Sequence, residues 1–318
     1  MRILIVYPAV LGLNNGNLFT AERWQQILAE LGHTVEIATA FDGDGGAPDL
    51  LIALHAVKSS SAIEKFRAAF AAVPIIVVLT GTDIYDVPFR KTVDKMLVLS
   101  DRIVVLQSAT ADDVDSQFRE KVRVIYQAIA PMDGVFESSS DCFDVCVVGH
   151  LRPVKDPFQI VCATLELPPE SKIRVTQVGA AMTDEMRETA QQHAKENVRY
   201  SWIGGISHNK AREKIARSHL LVNSSHVEGG AAVICEAVVA GTPILATRIA
   251  GNVGFLGEDY EGLFDVGQTD QLRGMLLLAE SSPDFYHRLK DQCESRKFLF
   301  NPDFERLQWA DLIKAFER

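Results

Sequence analysis

Glu228 and Glu236 are the first residues whose type and spacing suggest chemistry. They bound the segment Glu228-Gly229-Gly230-Ala231-Ala232-Val233-Ile234-Cys235-Glu236. Eight residues at helical rise span at most ~12 Å, which matches the reach from a hexose across a diphosphate to a ribose. Carboxylates accept hydrogen bonds from hydroxyls, so Glu228 suits the hexose and Glu236 the ribose. Gly229 and Gly230 let a ligand approach the backbone. The amides of Gly229, Gly230 and Ala231 open a helix and favour an anion. A helix dipole alone would attract an acid to this position. That accounts for Glu228, but not for Glu236 between Val233-Ile234-Cys235 and Ala237-Val238-Val239.

A second cluster is Gly149-His150-Leu151-Arg152-Pro153-Val154-Lys155, just after an apolar run. Arg152 and Lys155 beside a helix start can bracket a diphosphate and supply the counter-charge that a metal ion supplies elsewhere. An exposed turn carrying two solvated cations is the plainer alternative. Gly251 and Asn252 are expected to close a loop over the same donor. The first half offers sites for a small anion. Gly16 and Asn17 lie between a strand and a helix that Thr20 is expected to cap, where backbone amides can face a phosphoryl group. Arg23 falls in that helix's first turn, where a cation opposes the dipole and a nearby anion would compensate. A surface pairing with Glu22 or Glu30 is the alternative. Thr82, Tyr85, Tyr126 and Gln127 are neutral donors near strand ends, although Tyr126 also reads as an ordinary strand-end aromatic. His55 and Asp83 follow separate strands and could orient an acceptor or a sugar hydroxyl, although His55 also reads as a satisfied core histidine. Asp42-Gly43-Asp44 matches a D-x-D metal pattern but sits in turn chemistry, so no metal site is expected. No G-x-G-x-x-G, Walker A or G-x-S-x-G sequence occurs.

The elements that must position these residues alternate. Strands are expected at 2–6, 34–38, 50–54, 75–79, 103–106 and 122–125, with helices at 20–31, 59–70 and between the last two strands. The polar run Glu137-Ser138-Ser139-Ser140-Asp141 breaks the rhythm. It then restarts, with strands at 145–148, 173–178, 198–202, 220–222 and 244–246 and helices at 157–165, 184–195, 207–217 and 231–240. The last fifty residues read as mostly helical, divided by Pro302. Such alternation predicts parallel sheets with right-handed crossovers, in two doubly wound α/β domains facing across a cleft.

The 318 residues fit two domains, and the formal net charge of −10 argues against non-specific nucleic-acid binding. Five loosely spaced cysteines read as buried free thiols in a reducing cytoplasm. The start reads as a strand rather than a signal peptide, and no apolar run approaches the ~20 residues of a membrane span. No membrane partner is therefore expected, and the chain could be a monomer or a homodimer.

Glu228 and Glu236 in an E-x7-E arrangement, with Arg152 and Lys155 after a Gly-ended strand, resemble the donor site of family 4 glycosyltransferases of the GT-B fold. The resemblance implies a nucleotide-sugar on the second domain, no cofactor beyond that substrate, and a last helix at 304–316 returning to the first domain. The implied division is 1–139, 140–300 and 301–318. Asn15-Gly16-Asn17, Thr20-Ala21-Glu22-Arg23-Trp24, Leu54-His55-Ala56, Leu79-Thr80-Gly81-Thr82-Asp83-Ile84-Tyr85, Ile125-Tyr126-Gln127 and Gly251-Asn252-Val253-Gly254 together resemble the selenosugar synthases of selenoneine biosynthesis. This implies a UDP-N-acetylglucosamine or UDP-glucose donor, a selenophosphate acceptor and a carbon–selenium bond at the anomeric carbon. Two alternatives stay open: a conventional family 4 enzyme with a sugar or small-metabolite acceptor, and a non-catalytic nucleotide-sugar-binding protein.

Overall fold

A computed structural model describes residues 1–8, 16–43, 46–85 and 87–317. Within them the chain folds as two units, Met1–Ala128 with Asn301–Arg318, and Ile129–Phe300. The chain changes unit before the polar run at 137–141, because the Ile129 amide already donates to Phe300 O (3.0 Å).

The first unit holds β1 (Arg2–Val6), β2 (Thr34–Ala38), β3 (Leu50–Leu54), β4 (Ile75–Leu79), β5 (Arg102–Val105) and β6 (Val122–Val124). They form one parallel sheet in the order β2-β1-β3-β4-β5-β6. Alternate side chains point to opposite faces, and uninterrupted apolar strands need cover on both. Leu4, Val6, Leu51, Ala53, Val77 and Leu79 therefore join one core with Phe66 and Met96. Ile3, Ile5, Leu50, Ile52, Ile76 and Val78 join another with Trp24 and Trp309. Those two indoles meet edge-on at 4.7 Å, tying the helix Gly16–Glu30 to the helix Pro302–Lys314. The second of these helices opens as its sequence dictates. The Asn301 side chain accepts from Asp303 N–H (2.8 Å), and Pro302 follows, where its missing N–H costs nothing. The helix Arg90–Leu99 buries Val93, Met96 and Leu97.

The second unit holds β7 (Phe143–Val148), β8 (Ile173–Val178), β9 (Tyr200–Trp202), β10 (Leu220–Asn223), β11 (Ile244–Thr247) and β12 (Leu263–Phe264). All pairs are parallel, in the order β12-β11-β10-β7-β8-β9. In such sheets the crevice for a ligand lies where the strand order reverses, at the carboxyl ends. That point falls between β7 and β10 in this unit, and between β1 and β3 in the first.

Three expectations change. The helix expected from Thr20 begins at Gly16, and Thr20 sits inside it, its hydroxyl donating to Gly16 O (3.0 Å). Gly251 and Asn252 lie in the helix Ala250–Leu256 rather than in a loop. Cys146, Cys235 and Cys293 are buried, but Cys162 is exposed and Cys142 only half-buried. Among the described residues, no helix is long and apolar enough to cross a membrane.

Candidate functional site

At the β7/β10 reversal the two strand-end loops are stitched together. Ser224 donates its hydroxyl to Asp156 O (2.8 Å), and His226 N–H donates to Val154 O (2.9 Å). After β7 the chain makes a short turn at Pro153–Lys155 and leaves it through Asp156 at φ 41°. That left-handed geometry is uncommon for a residue with a Cβ. The stitching brings Lys155 onto Glu228 as an ion pair, and Ser225 adds its hydroxyl to the same Glu228 Oε1 (2.6 Å). Arg152 is exposed on the same turn and pairs with no described residue. His150, beside them, accepts from Ala180 N–H at Nδ1 (3.2 Å). Its burial, then the charges of Arg152 and Lys155, hold its pKa below the usual imidazole value. The arrangement gathers two cations, Arg152 and Lys155, and two carboxylates, Glu228 and Asp156, where two strands end, with Asp156 Oδ2 3.3 Å from His226 Nε2.

Gly229, Gly230 and Ala231 lead from Glu228 into the helix Ala232–Ala240, and their amides bond to no described residue. Two turns on, Glu236 is 7 % exposed. Its Oε1 lies 2.6 Å from His208 Nε2, at the start of the helix His208–Ala216. The carboxylate's hydrogen bond, chiefly, raises the His208 pKa against burial and the Arg212 charge. His208 is a site residue that sequence reasoning missed. Its only signal was a polar residue at a helix start, and its partner is 28 positions away.

Gly251 and Asn252 act from behind the site. A Cβ at Gly251 would lie 2.1 Å from Glu228 O, so only glycine lets the helix Ala250–Leu256 pack on the Glu228 backbone. Asn252 is fully buried, and its amide donates to Thr247 O (2.9 Å) and Thr247 Oγ1 (3.1 Å). They support the Glu228 loop.

In the first unit, Thr20, Arg23, Tyr126 and Gln127 do come together, around the last helix. Glu305 is fully buried and accepts from Arg23 Nε (2.9 Å), Trp24 Nε1 (2.7 Å) and Ala128 N–H (3.0 Å). The anion that answers Arg23 is therefore Glu305, 282 positions away, not Glu22 or Glu30. Gln127 donates to Thr20 Oγ1 (2.8 Å), and Tyr126 N–H donates to Gln308 Oε1 (3.2 Å). Gly16 is exposed at the open end of its helix and Asn17 is half-buried. The residues just before them lie outside the described part.

The remaining candidates are held in local structure. Asp83 is buried and accepts from Ala56 N–H (2.9 Å) and Gly81 N–H (2.8 Å), knotting the ends of β3 and β4. Each oxygen of the carboxylate expected to orient a ligand thus already accepts from the backbone. His55 adopts φ 68° and is 5 % exposed. Its Nδ1 accepts from Lys58 N–H (3.4 Å) and lies 3.7 Å from Asp83 Oδ2. Burial lowers its pKa despite Asp83, with Lys58 adding to the lowering. Tyr85 is engaged with protein groups, its hydroxyl donating to Asp113 Oδ2 (3.0 Å) beside Thr110 Oγ1 (3.1 Å). Burial pushes the phenol pKa well above its ordinary value. The Thr82 side chain and Asp44 lie outside the described residues. A separate concavity of about 630 Å³ lies at the amino end of the first sheet. Its cations are committed: Lys121 donates to Ser100 O (2.6 Å), and Arg67 pairs with Asp101 (2.8 Å).

Residues 134–296 match the model of the family described as glycosyl transferases group 1. Among solved structures, the chain is similar to Anabaena Alr3699/HepE in complex with UDP and glucose. The identity is 16 %, over 99 % of this chain and 100 % of that one, with a TM-score of 0.74. The HepE complex with UDP-glucose gives a TM-score of 0.75 at 16 % identity, with coverage of 99 % and 100 %. Sucrose-phosphate synthase from Thermosynechococcus elongatus is 15 % identical over 99 % of this chain and 98 % of that one, with a TM-score of 0.76. At these identities the likeness shows a shared fold, that of two parallel-sheet α/β domains.

Proposed function

This chain belongs to the glycosyl transferases group 1 family, and from that premise we propose that it moves a hexose from a UDP-sugar to a small anionic acceptor. The observation that carries the donor half is the convergence of Lys155, Glu228 and the unbonded amides of Gly229–Ala231 at the strand-order reversal of the second unit. Arg152 and Lys155 neutralise the diphosphate and stabilise UDP as it leaves. Glu228 and the amides hold the hexose, and Glu236 takes the ribose hydroxyls, with His208 on its other side. The HepE complexes with UDP and with UDP-glucose support a UDP-sugar as the donor, and the sequence resemblance narrows it to UDP-glucose or UDP-N-acetylglucosamine.

The acceptor we propose is selenophosphate, supported by the resemblance of the first-half motifs to the selenosugar synthases. The selenium lone pair forms the bond to the anomeric carbon as the carbon–oxygen bond to UDP breaks, and UDP departs with that electron pair. A nucleophile that is already anionic needs no strong general base. Arg23 is committed to Glu305, so the acceptor reading leans on Gly16, Asn17 and the backbone at the opening of their helix. The test is to incubate the protein with each UDP-sugar and with selenophosphate, thiophosphate or phosphate, following UDP release and product mass. A selenium-linked sugar supports the reading, and oxygen-linked products alone reject it. A conventional sugar or metabolite acceptor is the second reading, favoured by the protein-bound state of Arg23, Asp83 and Tyr85. Binding of UDP with no turnover on any acceptor would instead support a non-catalytic binding protein.

A further inference from the structure

We infer that Ser225, Thr247 and Asn252 are positioning residues that turn one oxygen of Glu228 toward the donor's hexose, an assignment that rests on the donor reading above. Glu228 Oε1 takes both the Ser225 hydroxyl (2.6 Å) and the Lys155 ammonium. Its Oε2 has no partner among the described residues, and the side chain is 11 % exposed. Two donors on one oxygen fix the carboxylate's rotation and leave the other oxygen to accept from a ligand hydroxyl.

Ser225 is itself held. The Thr247 hydroxyl, at the end of β11, donates to Ser225 O (2.6 Å), and the Asn252 amide donates to Thr247 Oγ1 (3.1 Å). Each hydroxyl in this chain carries one proton, so its direction is set: Asn252 to Thr247, Thr247 to the Ser225 backbone, and the Ser225 side chain to Glu228. All three residues are at most 2 % exposed, so none is a surface bond open to competition from water. Gly251 presses on the Glu228 backbone from the same helix as Asn252. Asn252 Oδ1 has no partner among the described residues, but from the Asn252 amide nitrogen to Glu228 every link is made, and a buried polar chain of this kind rigidifies the group at its end. Rigid support of this kind keeps a site in productive geometry.

The test uses the full chain with UDP and UDP-glucose as probes, in Ser225→Ala, Thr247→Val and the double variant. Calorimetry gives the affinity for UDP, which does not involve the hexose carboxylate, and UDP release from UDP-glucose, with selenophosphate added or water taking the glucosyl group, gives turnover. The expected result is UDP affinity within twofold of wild type in all three variants, with turnover about tenfold lower in Ser225→Ala, the scale of one hydrogen bond to a charged group. The double variant is expected to be no slower than Ser225→Ala, because both changes act through one path. Loss of UDP affinity in step with turnover, or additive losses in the double variant, would overturn the assignment. Ser225→Ala deletes only a hydroxyl, so it carries the test alone if Thr247→Val does not fold. A wild-type chain that binds neither UDP nor UDP-glucose overturns the donor reading itself, and this assignment with it.

Discussion

Replacing Glu305 should unfold the first unit well before the second. Glu305→Ala deletes the acceptor for the Trp24 indole N–H and the Ala128 amide. Each buried donor left unpaired costs about 1–3 kcal/mol. The Arg23 side chain is 27 % exposed and regains some water, so its share is smaller than for a fully enclosed partner. Together these give about 3–5 kcal/mol, the scale of a broken buried ion pair. At about 2–4 °C per kcal/mol for a domain near 150 residues, Tm falls by roughly 10 °C. Glu305→Gln keeps the shape and one acceptor and should lose less than half of that. The assay is near-UV circular dichroism. Trp24 and Trp309 both report on the first unit, where their rings meet, and Trp202 lies in the second. UDP affinity, read by calorimetry, should not change. A Tm shift below about 3 °C for Glu305→Ala would refute the clasp. So would an Arg23→Gln variant that keeps its Tm yet loses turnover, because Arg23 would then serve the acceptor rather than Glu305.

Other outcomes follow from the same geometry. Arg152→Ala and Lys155→Ala should each lower UDP release from a UDP-sugar by about 10²–10³, the loss seen when one transition-state donor is removed, and steady-state kinetics at wild-type rates would reject their role. Gly251→Ala should lower turnover on UDP-glucose and also Tm, because the added carbon meets the backbone of Glu228 and nothing flexible can yield; an unchanged Tm would show that the helix moves freely. The His208 pKa is raised by Glu236. Below about pH 6.5 histidine is protonated folded or unfolded and the pair contributes in full, and that stability is lost as pH rises through the raised folded value. The Tm difference between wild type and His208→Ala should therefore be largest below the ordinary imidazole pKa of about 6.5 and shrink as pH rises above it. A difference that grows with pH would reverse the assignment.

The sheets were legible because their strands are short apolar runs between helical stretches, and a period of two or a continuous run needs no distant information. β12 was not, since Leu263–Phe264 is two residues long and carries no periodicity. The helix Ala250–Leu256 was also hidden, because Gly251 and Gly254 read locally as a loop and only packing on Glu228 favours the helix. Glu228, Lys155 and Arg152 were readable as strand-end chemistry. The partners that decide what the others do were not, because Arg23 meets Glu305 and Glu236 meets His208 only after folding. Asp83 and Tyr85 show the converse, each already bonded to protein groups. A polar residue at a strand end looks available until its backbone and side-chain partners are in place.

Trp309, Leu312 and Ile313 complete a core whose other buried members lie within the first 128 residues, Glu305 pairs with Arg23 beside it, and the whole of 129–300 intervenes. On the ribosome, the later unit therefore has its full sequence before the earlier one does, reversing the usual amino-terminal-first order. Until the closing helix emerges, Trp24 and the Arg23 guanidinium await their partners. A nascent chain halted just before it would carry a finished carboxyl-proximal domain on an unfinished amino-proximal one.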